Sequence, residues 1–382
     1  MSLRKNGNQE KHLGKFGRMG QEIRLDIFKG KKVFLTGHTG FKGGWLAAWL
    51  HLLGAKVKGY AQAPEFDNGI YNTISGDSFC ESVIADIRDE QRLTLEVNEF
   101  NPDIVFHLAA QPLVRRSYAK PTETFDVNVL GTANLLNSIR GLNGKCVVIV
   151  ITTDKVYENH EWAYPYREVD TLGGYDPYSA SKACAELVVN SFRQSFYNIA
   201  NLVEHGKVLA SVRAGNVIGG GDWSEYRLVP DIINSLIANT QLEIRSPNAT
   251  RPWQHVLEPL SGYLLLGQKL SEGNDINGQS FNFGPISEET FSVLDLYNEF
   301  IHLWHQDHTK INYLVTSNNY HEANFLKLSC DKANILLRWK PILNFKKTCN
   351  YTFNWYKSYL NKKEDIYAFT VNQITSFCNE KY

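Results

Sequence analysis

The stretch that decides the fold is Val33-Phe34-Leu35-Thr36-Gly37-His38-Thr39-Gly40-Phe41-Lys42-Gly43. A short apolar run stops at Gly37, and the glycines stand at spacing three and three. From Phe41 onward, Trp45, Leu46, Trp49, Leu50 and Leu53 recur at helical spacing, and Gly54 ends the pattern. Lys56-Val57-Lys58-Gly59-Tyr60 then reads as a second strand. Strand, glycine turn, helix and strand within about 30 residues make a crossover unit. Glycine lets the backbone turn tightly and approach an anion closely. The N-terminus of the following helix faces that anion with free N–H groups. The loop is therefore a dinucleotide-binding candidate. Gly37, Gly40, Phe41 and Gly43 would surround the pyrophosphate, with His38 and Lys42 as added contacts. A ligand-free glycine turn is the alternative, and the flanking strand, helix and strand argue against it.

Outward from this unit the alternation continues. Ser82 to Ile84 reads as a strand, Asp89 to Phe100 as a helix, Asp103 to Leu108 as a strand and Thr124 to Arg140 as a helix. Val147-Val148-Ile149-Val150-Ile151 is apolar and β-branched throughout, as a strand buried on both faces should be. Pro177 to Phe196 is a long helix and Leu209 to Arg213 a further strand. Strands alternating with helices imply an α/β fold with a doubly wound parallel sheet. Past Arg213 the regularity fades, and Pro247, Pro252, Pro259 and Pro285 break short segments into a smaller, mixed α/β C-terminal lobe. The expected organisation is a disordered tail over residues 1–27, a dinucleotide-binding domain over 28–210, and a mainly substrate-binding lobe over 211–382. Some segments of that lobe should return to the first domain.

Composition narrows the function classes. Lys+Arg and Asp+Glu are both 40 among 382 residues, a net charge of +0. That balance argues against general affinity for nucleic acid or acidic membranes, which needs a basic surplus. No apolar run is long enough to span a bilayer, and no apolar stretch of signal-peptide type follows the basic start. The 6 cysteines form no C-x-x-C pair and no zinc-like cluster with histidine, so no metal is expected. They read as reduced and structural, which points to the cytoplasm.

Two clusters carry candidate chemistry. Tyr178-Ser179-Ala180-Ser181-Lys182 places a phenol and an ammonium on one helix face. An ammonium beside a phenol favours phenolate, making Tyr178 a candidate base for an alcohol or sugar hydroxyl. Thr152-Thr153-Asp154-Lys155 follows the buried strand directly, where open α/β sheets bind ligands. A helix cap or turn would use Thr and Asp equally well. The second strand ends in Tyr60-Ala61-Gln62, without an acid for the adenine ribose, so NAD and NADP remain open at that position; Asp86 and Ile87 are candidates for adenine contact. Asn216, Arg227 and Arg251 are candidates for a diphosphate or sugar, and His107 and His321 are ambiguous.

Taken together these motifs resemble the extended short-chain dehydrogenase/reductase superfamily. Leu108-Ala109-Ala110-Gln111, Asn128-Val129-Leu130-Gly131-Thr132, Thr153-Asp154 and Tyr178-x-x-x-Lys182 follow the glycine loop in that superfamily's order. The runs Gly173 to Tyr178, Ser211 to Trp223 and Arg251-Pro252-Trp253-Gln254-His255-Val256 are more specific. They are similar to the CDP-glucose 4,6-dehydratase branch, from about Phe28 nearly to the end. The resemblance implies a Rossmann domain and a tightly held NAD. Leu108, Ala109, Ala110, Gln111 and Asn128 would line the cofactor site, and Asn216, Arg227, Arg251 and His255 the substrate site. It also implies pairing into dimers or tetramers through the helices of Thr124 to Arg140 and Pro177 to Phe196, and a product destined for the dideoxy sugars of surface polysaccharide. In the implied reaction Tyr178, assisted by Lys182, takes the 4-hydroxyl proton of CDP-glucose. Thr153 holds the 4-oxygen, and Asp154 protonates the departing 6-hydroxyl. Lys155 stands where the related dTDP-glucose enzymes have Glu. A lysine of pKa about 10.4 cannot take the C5 proton, and lowering it to roughly 7.5 costs about 4 kcal/mol. Either Lys155 is a neutral base, the reading favoured here, or it stays charged beside the enolate and Asp154 handles the protons. The sequence-level alternatives are a nucleotide-sugar 4-epimerase, a dehydratase of another nucleotide sugar, and a cofactor-sensing binding protein.

Overall fold

The computed structural model describes residues 15–16, 23–273, 275–285, 290–304, 312–316, 325–362 and 364–380. Most of the segment read as a tail lies outside them, as does His321. Leu25 and Phe28, where continuous description begins, are already buried.

Seven parallel strands form the central sheet. They are β1 (Lys32–Thr36), β2 (Lys56–Ala61), β3 (Glu81–Ile84), β4 (Ile104–His107), β5 (Cys146–Ile151), β6 (Lys207–Ala214) and β7 (Ser280–Phe283). Their spatial order is β7-β6-β5-β4-β1-β2-β3, all in parallel register. The winding reverses between β1 and β4, so the crevice beyond the carboxyl ends of those strands is the ligand-binding position of such a sheet.

The period of two along each strand builds two cores. On β1, Val33 and Leu35 face one side and Phe34 the other; on β5, Val147, Ile149 and Ile151 oppose Cys146, Val148 and Val150. The second face is covered by α2 (Glu90–Phe100), by the helix α3 and by α4 (Pro177–Ser195). Helix α3 runs over 121–141 and passes through a π turn at Asp126–Leu130. The first face is covered by α1 (Phe41–Leu52) and by segments of the second half. Helix α6 (Leu257–Glu272) and strand β7 return from the second half into the Rossmann layers. So do α8 (Phe345–Asn361) and α9 (Ile366–Asn379), which join the same core; Phe377 meets Trp49 of α1 edge-on at 5.9 Å.

The remaining lobe contains α5 (Leu228–Ala238), α7 (Val293–Trp304) and three two-stranded ladders. The ladders join Val217–Ile218 to Gln254–His255, Leu242–Ile244 to Tyr313–Val315 and Thr250–Arg251 to Phe291–Ser292. Among the described residues no helix is long and apolar enough to cross a membrane.

Candidate active site

Two adjoining cavities, of about 490 and 300 Å³, open over the carboxyl ends of the strands. They share Lys42, Tyr178, Asp222 and Arg227 at their junction.

The larger cavity is a cradle made mostly of backbone. Gly37 has φ +75°, and a Cβ there would meet the backbone of Leu108 and Ala109 at 2.7–2.9 Å. A Cβ on Gly43 would sit 2.0 Å from the Gly37 carbonyl oxygen. Only glycine lets the loop, α1 and the end of β4 come this close. Gly40 begins α1 without a side-chain cap, so the first N–H groups of that helix are left for an anion. Gly40, Phe41, Lys42, Asp86, Ile87, Leu108, Ala109, Ala110 and Gln111 line the space, with Tyr178 and Lys182 at its inner end. These residues fit a dinucleotide.

At the outer end, Asp86 accepts from Gln62 Nε2 at 2.8 Å and from the Arg88 guanidinium at 2.6 and 3.0 Å. Hydrogen bonds from Arg88, against some burial, hold its carboxyl down at about 2. Gln62 and Arg88 are contributors the sequence reading missed; Arg88 is two residues from Asp86, and the fold brings Gln62 to it.

Two residues read as cofactor contacts do other work with their side chains. His38 turns inward, bonded to Ser82 Oγ at 2.8 Å and edge-on to Tyr71; burial lowers its pKa to about 4. Its ring packs where a Cβ on Gly59 would clash, so only its backbone remains for a phosphate. Asn128 stands behind the cradle wall. It accepts from Gln111 N (2.8 Å) and donates to Gln111 O (3.1 Å) and Ser181 Oγ (2.8 Å), clamping the wall to the first turn of α4. His107 is buried between Thr36 Oγ1 (2.8 Å) and Thr132 Oγ1 (3.0 Å), and burial lowers its pKa to about 3. It is a core histidine.

At the junction, Asp176 caps α4 through Ser179 N and sets the helix so that Tyr178 and Lys182 face the cavity. Burial raises the Tyr178 phenol to about 12, against the Thr153 hydroxyl and Arg227, which lower it. Lys182 donates to the Ile151 carbonyl at 2.9 Å and is lowered by burial to about 8. Lys42, expected on a phosphate, sits at this junction, lowered by burial and by Arg227 to about 7. Thr153 donates to Asp154 Oδ1 at 2.9 Å and lines the cavity with Tyr178. Asp154 is 2% exposed, and Lys155 lines the cavity beside it.

The carboxylate of Asp154 lies flat over Gly215; a Cβ there would fall 1.8 Å from Oδ2. Gln254 Nε2 holds Gly215 O at 3.0 Å, so part of the Arg251 to Val256 motif supports the Asp154 carboxylate from below. The signal was available in Ala214-Gly215-Asn216, a glycine directly after a strand.

The smaller cavity is ringed by side chains. Arg115, Arg227, Arg245 and Arg251 line it with Asn216, whose φ is +43°. Arg227 is fixed by Asp222 at 3.0 Å, and Arg115 stacks 4.6 Å over the Tyr226 ring. Arg115 and Arg245 were not read from the sequence. His255 is corrected: it does not reach this cavity. Its ring is buried between Trp45 and Tyr351, and burial lowers its pKa to about 3.

This constellation can bind a dinucleotide beside a doubly anionic ligand and move protons where the two meet. Residues 34–352 match the family described as GDP-mannose 4,6 dehydratase. The chain belongs to this family. It is 46% identical over 356 residues to a CDP-glucose 4,6-dehydratase of Salmonella typhimurium, covering 93% of this chain and 98% of that protein. A CDP-paratose 2-epimerase of Salmonella typhi is 25% identical, over 86% of this chain and 99% of its own length. Among solved structures, the dTDP-glucose 4,6-dehydratase of Streptomyces venezuelae, with NAD bound, shares the fold. Its TM-score is 0.72 at 22% identity, over 88% of this chain and 99% of that one. A UDP-glucuronic acid 4-epimerase of Bacillus cereus gives 0.74 at 20%, over 86% and 99%. The family is thus that of the nucleotide-sugar dehydratases, and the fold is shared with epimerases.

Proposed function

We propose that the chain is an NAD-dependent lyase that converts CDP-glucose to CDP-4-keto-6-deoxyglucose and water. The observation that carries this reading is the meeting of Tyr178, Thr153, Asp154 and Lys155 where the cradle joins the arginine-lined cavity. An epimerase needs the Tyr and Lys of α4 but no buried acid aimed at C6. The high identity to a CDP-glucose 4,6-dehydratase supports the substrate.

NAD, when bound, supplies the hydride acceptor for C4 and the donor for C6 within one cycle. The chain's own residues handle the protons. Tyr178 takes the 4-hydroxyl proton, and Thr153, bonded to Asp154, holds the 4-oxygen. The resulting ketone acidifies the C5 proton, Lys155 removes it, Asp154 protonates the 6-hydroxyl as it leaves as water, and Lys155 returns a proton to C5 once C6 is reduced. Asp154 is suited to this because its carboxyl is buried against Gly215 and shielded from bulk water. The four arginines bind the diphosphate, and the low exposure of the junction keeps water from the enolate.

Exposed apolar residues on the two long helices, Phe125, Leu130 and Leu187, support pairing of two copies across α3 and α4. All six cysteines are reduced thiols, consistent with a cytoplasmic enzyme. Its product would feed the synthesis of deoxy sugars for lipopolysaccharide O-antigen.

Incubation with CDP-, dTDP-, UDP- and GDP-glucose tests the reading. Loss of one water from the CDP sugar, with at least about tenfold higher kcat/KM than for the others, is expected. Equal turnover of all four would overturn the substrate, and product of unchanged mass would favour epimerisation. Lys155→Ala should abolish exchange of the C5 proton with solvent deuterium; normal exchange would remove Lys155 from its role.

A further inference from the structure

Helix α4 carries a third charged residue on the face that holds Tyr178 and Lys182. Glu186 stands one turn beyond Lys182 and is 4% exposed. Its carboxylate pairs with the guanidinium of Arg213 on β6, from Nε at 3.0 Å and Nη2 at 3.1 Å. Ser211 Oγ donates to it at 2.7 Å. A buried pair with this many bonds is costly to form and costly to break.

Its other contacts give it a use. Thr152 Oγ1 donates to Glu186 Oε1 at 2.6 Å. Arg213 Nη1 donates to Tyr157 Oη at 2.9 Å and lies over the Tyr157 ring at 5.0 Å. Tyr157 Oη in turn donates to Asn282 of β7 at 2.7 Å. Thr152 and Tyr157 are the two ends of the segment that carries Thr153, Asp154 and Lys155. One ion pair therefore grips both ends of that segment, and the pair is rooted on the helix that presents Tyr178 and Lys182.

We infer that Glu186 and Arg213 are positioning residues that set the Thr153-Asp154-Lys155 segment in register with Tyr178 and Lys182. The inference rests on the proposed reaction, in which those two halves must act on adjacent sugar carbons. A misplacement of about 1 Å between reacting groups costs on the order of a hundredfold in rate. Tyr157→Phe and Thr152→Val each release one end of the segment and leave the ion pair whole. Glu186→Gln keeps the size of the side chain and removes its charge.

Lys182 supplies a second readout. The groups facing it are Glu186 on its own helix, Lys42 at the start of α1 and His107 on β4. Burial lowers Lys182, and Glu186 opposes that shift. Without the Glu186 charge, Lys182 loses its proton at lower pH.

The test measures turnover of CDP-glucose by the NAD-loaded full chain, with the wild type as control. If the wild type fails to dehydrate CDP-glucose, it is the functional reading that falls. If the wild type turns over, Tyr157→Phe and Thr152→Val should each lower kcat about tenfold or more, with KM within about twofold. Their C5 proton exchange should fall in parallel. Glu186→Gln should move the alkaline limb of kcat to lower pH, and Glu186→Asp should restore part of the loss. Wild-type kcat in both end-release variants would overturn the proposal. So would a Glu186→Gln protein whose activity falls only with its folded fraction, at an unchanged pH profile. Should Glu186→Gln not fold, the two end-release variants decide.

Discussion

The cradle and the arginine-lined cavity share one junction but are built on opposite principles. The cradle's recognition elements are backbone: glycines without Cβ atoms, uncapped N–H groups of α1 and the chain after β4. The cavity's elements are long charged side chains gathered from positions 115, 227, 245 and 251. A backbone site tolerates no added atom, whereas a site of several arginines loses one contact at a time. The contrast predicts all-or-none failures in the first and graded ones in the second.

Gly43→Ala should break the cradle outright, because the added methyl would lie 2.0 Å from a carbonyl oxygen. NAD binding should weaken at least about a hundredfold, roughly 3 kcal/mol, by titration calorimetry. Retained affinity would mean that the loop can shift and that the contrast is false. Gly215→Ala tests the junction, where the methyl would strike the Asp154 carboxylate. The expected loss is about a hundredfold in kcat with NAD affinity intact. Arg251→Ala samples the graded region: KM for the nucleotide sugar should rise about tenfold while kcat holds, as one charge-assisted contact among four is lost. The smallest effect belongs to His255→Phe. A ring buried between Trp45 and Tyr351 should affect the melting temperature and leave KM within about twofold. A large rise in KM would return His255 to the substrate site.

The same contrast governs what the sequence could disclose. The cradle was readable because its parts are contiguous: strand, glycine loop and helix occupy one stretch from Lys32 to Leu52. Tyr178 with Lys182, and Thr153 with Asp154, were readable because helical spacing and a strand end fix where short motifs point. Motif membership does not, however, say which way a side chain turns. His38, Asn128 and His255 belong to the right motifs, yet their side chains pack inward. Arg115 and Arg245 carry no local signal, since only the tertiary fold brings them to one cavity. Glu186 did carry one. It repeats the four-residue spacing from Tyr178 to Lys182, so the same periodicity extended by one turn points to it. The end of the first lobe was obscured for a similar reason. Strand β7 and helices α6, α8 and α9 return to the Rossmann layers by contacts distant in sequence.

The most direct test of the account is a single turnover assay of the NAD-loaded protein with CDP-glucose in deuterium oxide, read by mass spectrometry. The account predicts a product that has lost one water and carries deuterium at C5, because the protein residue that removes the C5 proton exchanges it with solvent before C5 is reprotonated, after water has left from C6. A product of unchanged mass, or one dehydrated without deuterium at C5, would contradict it.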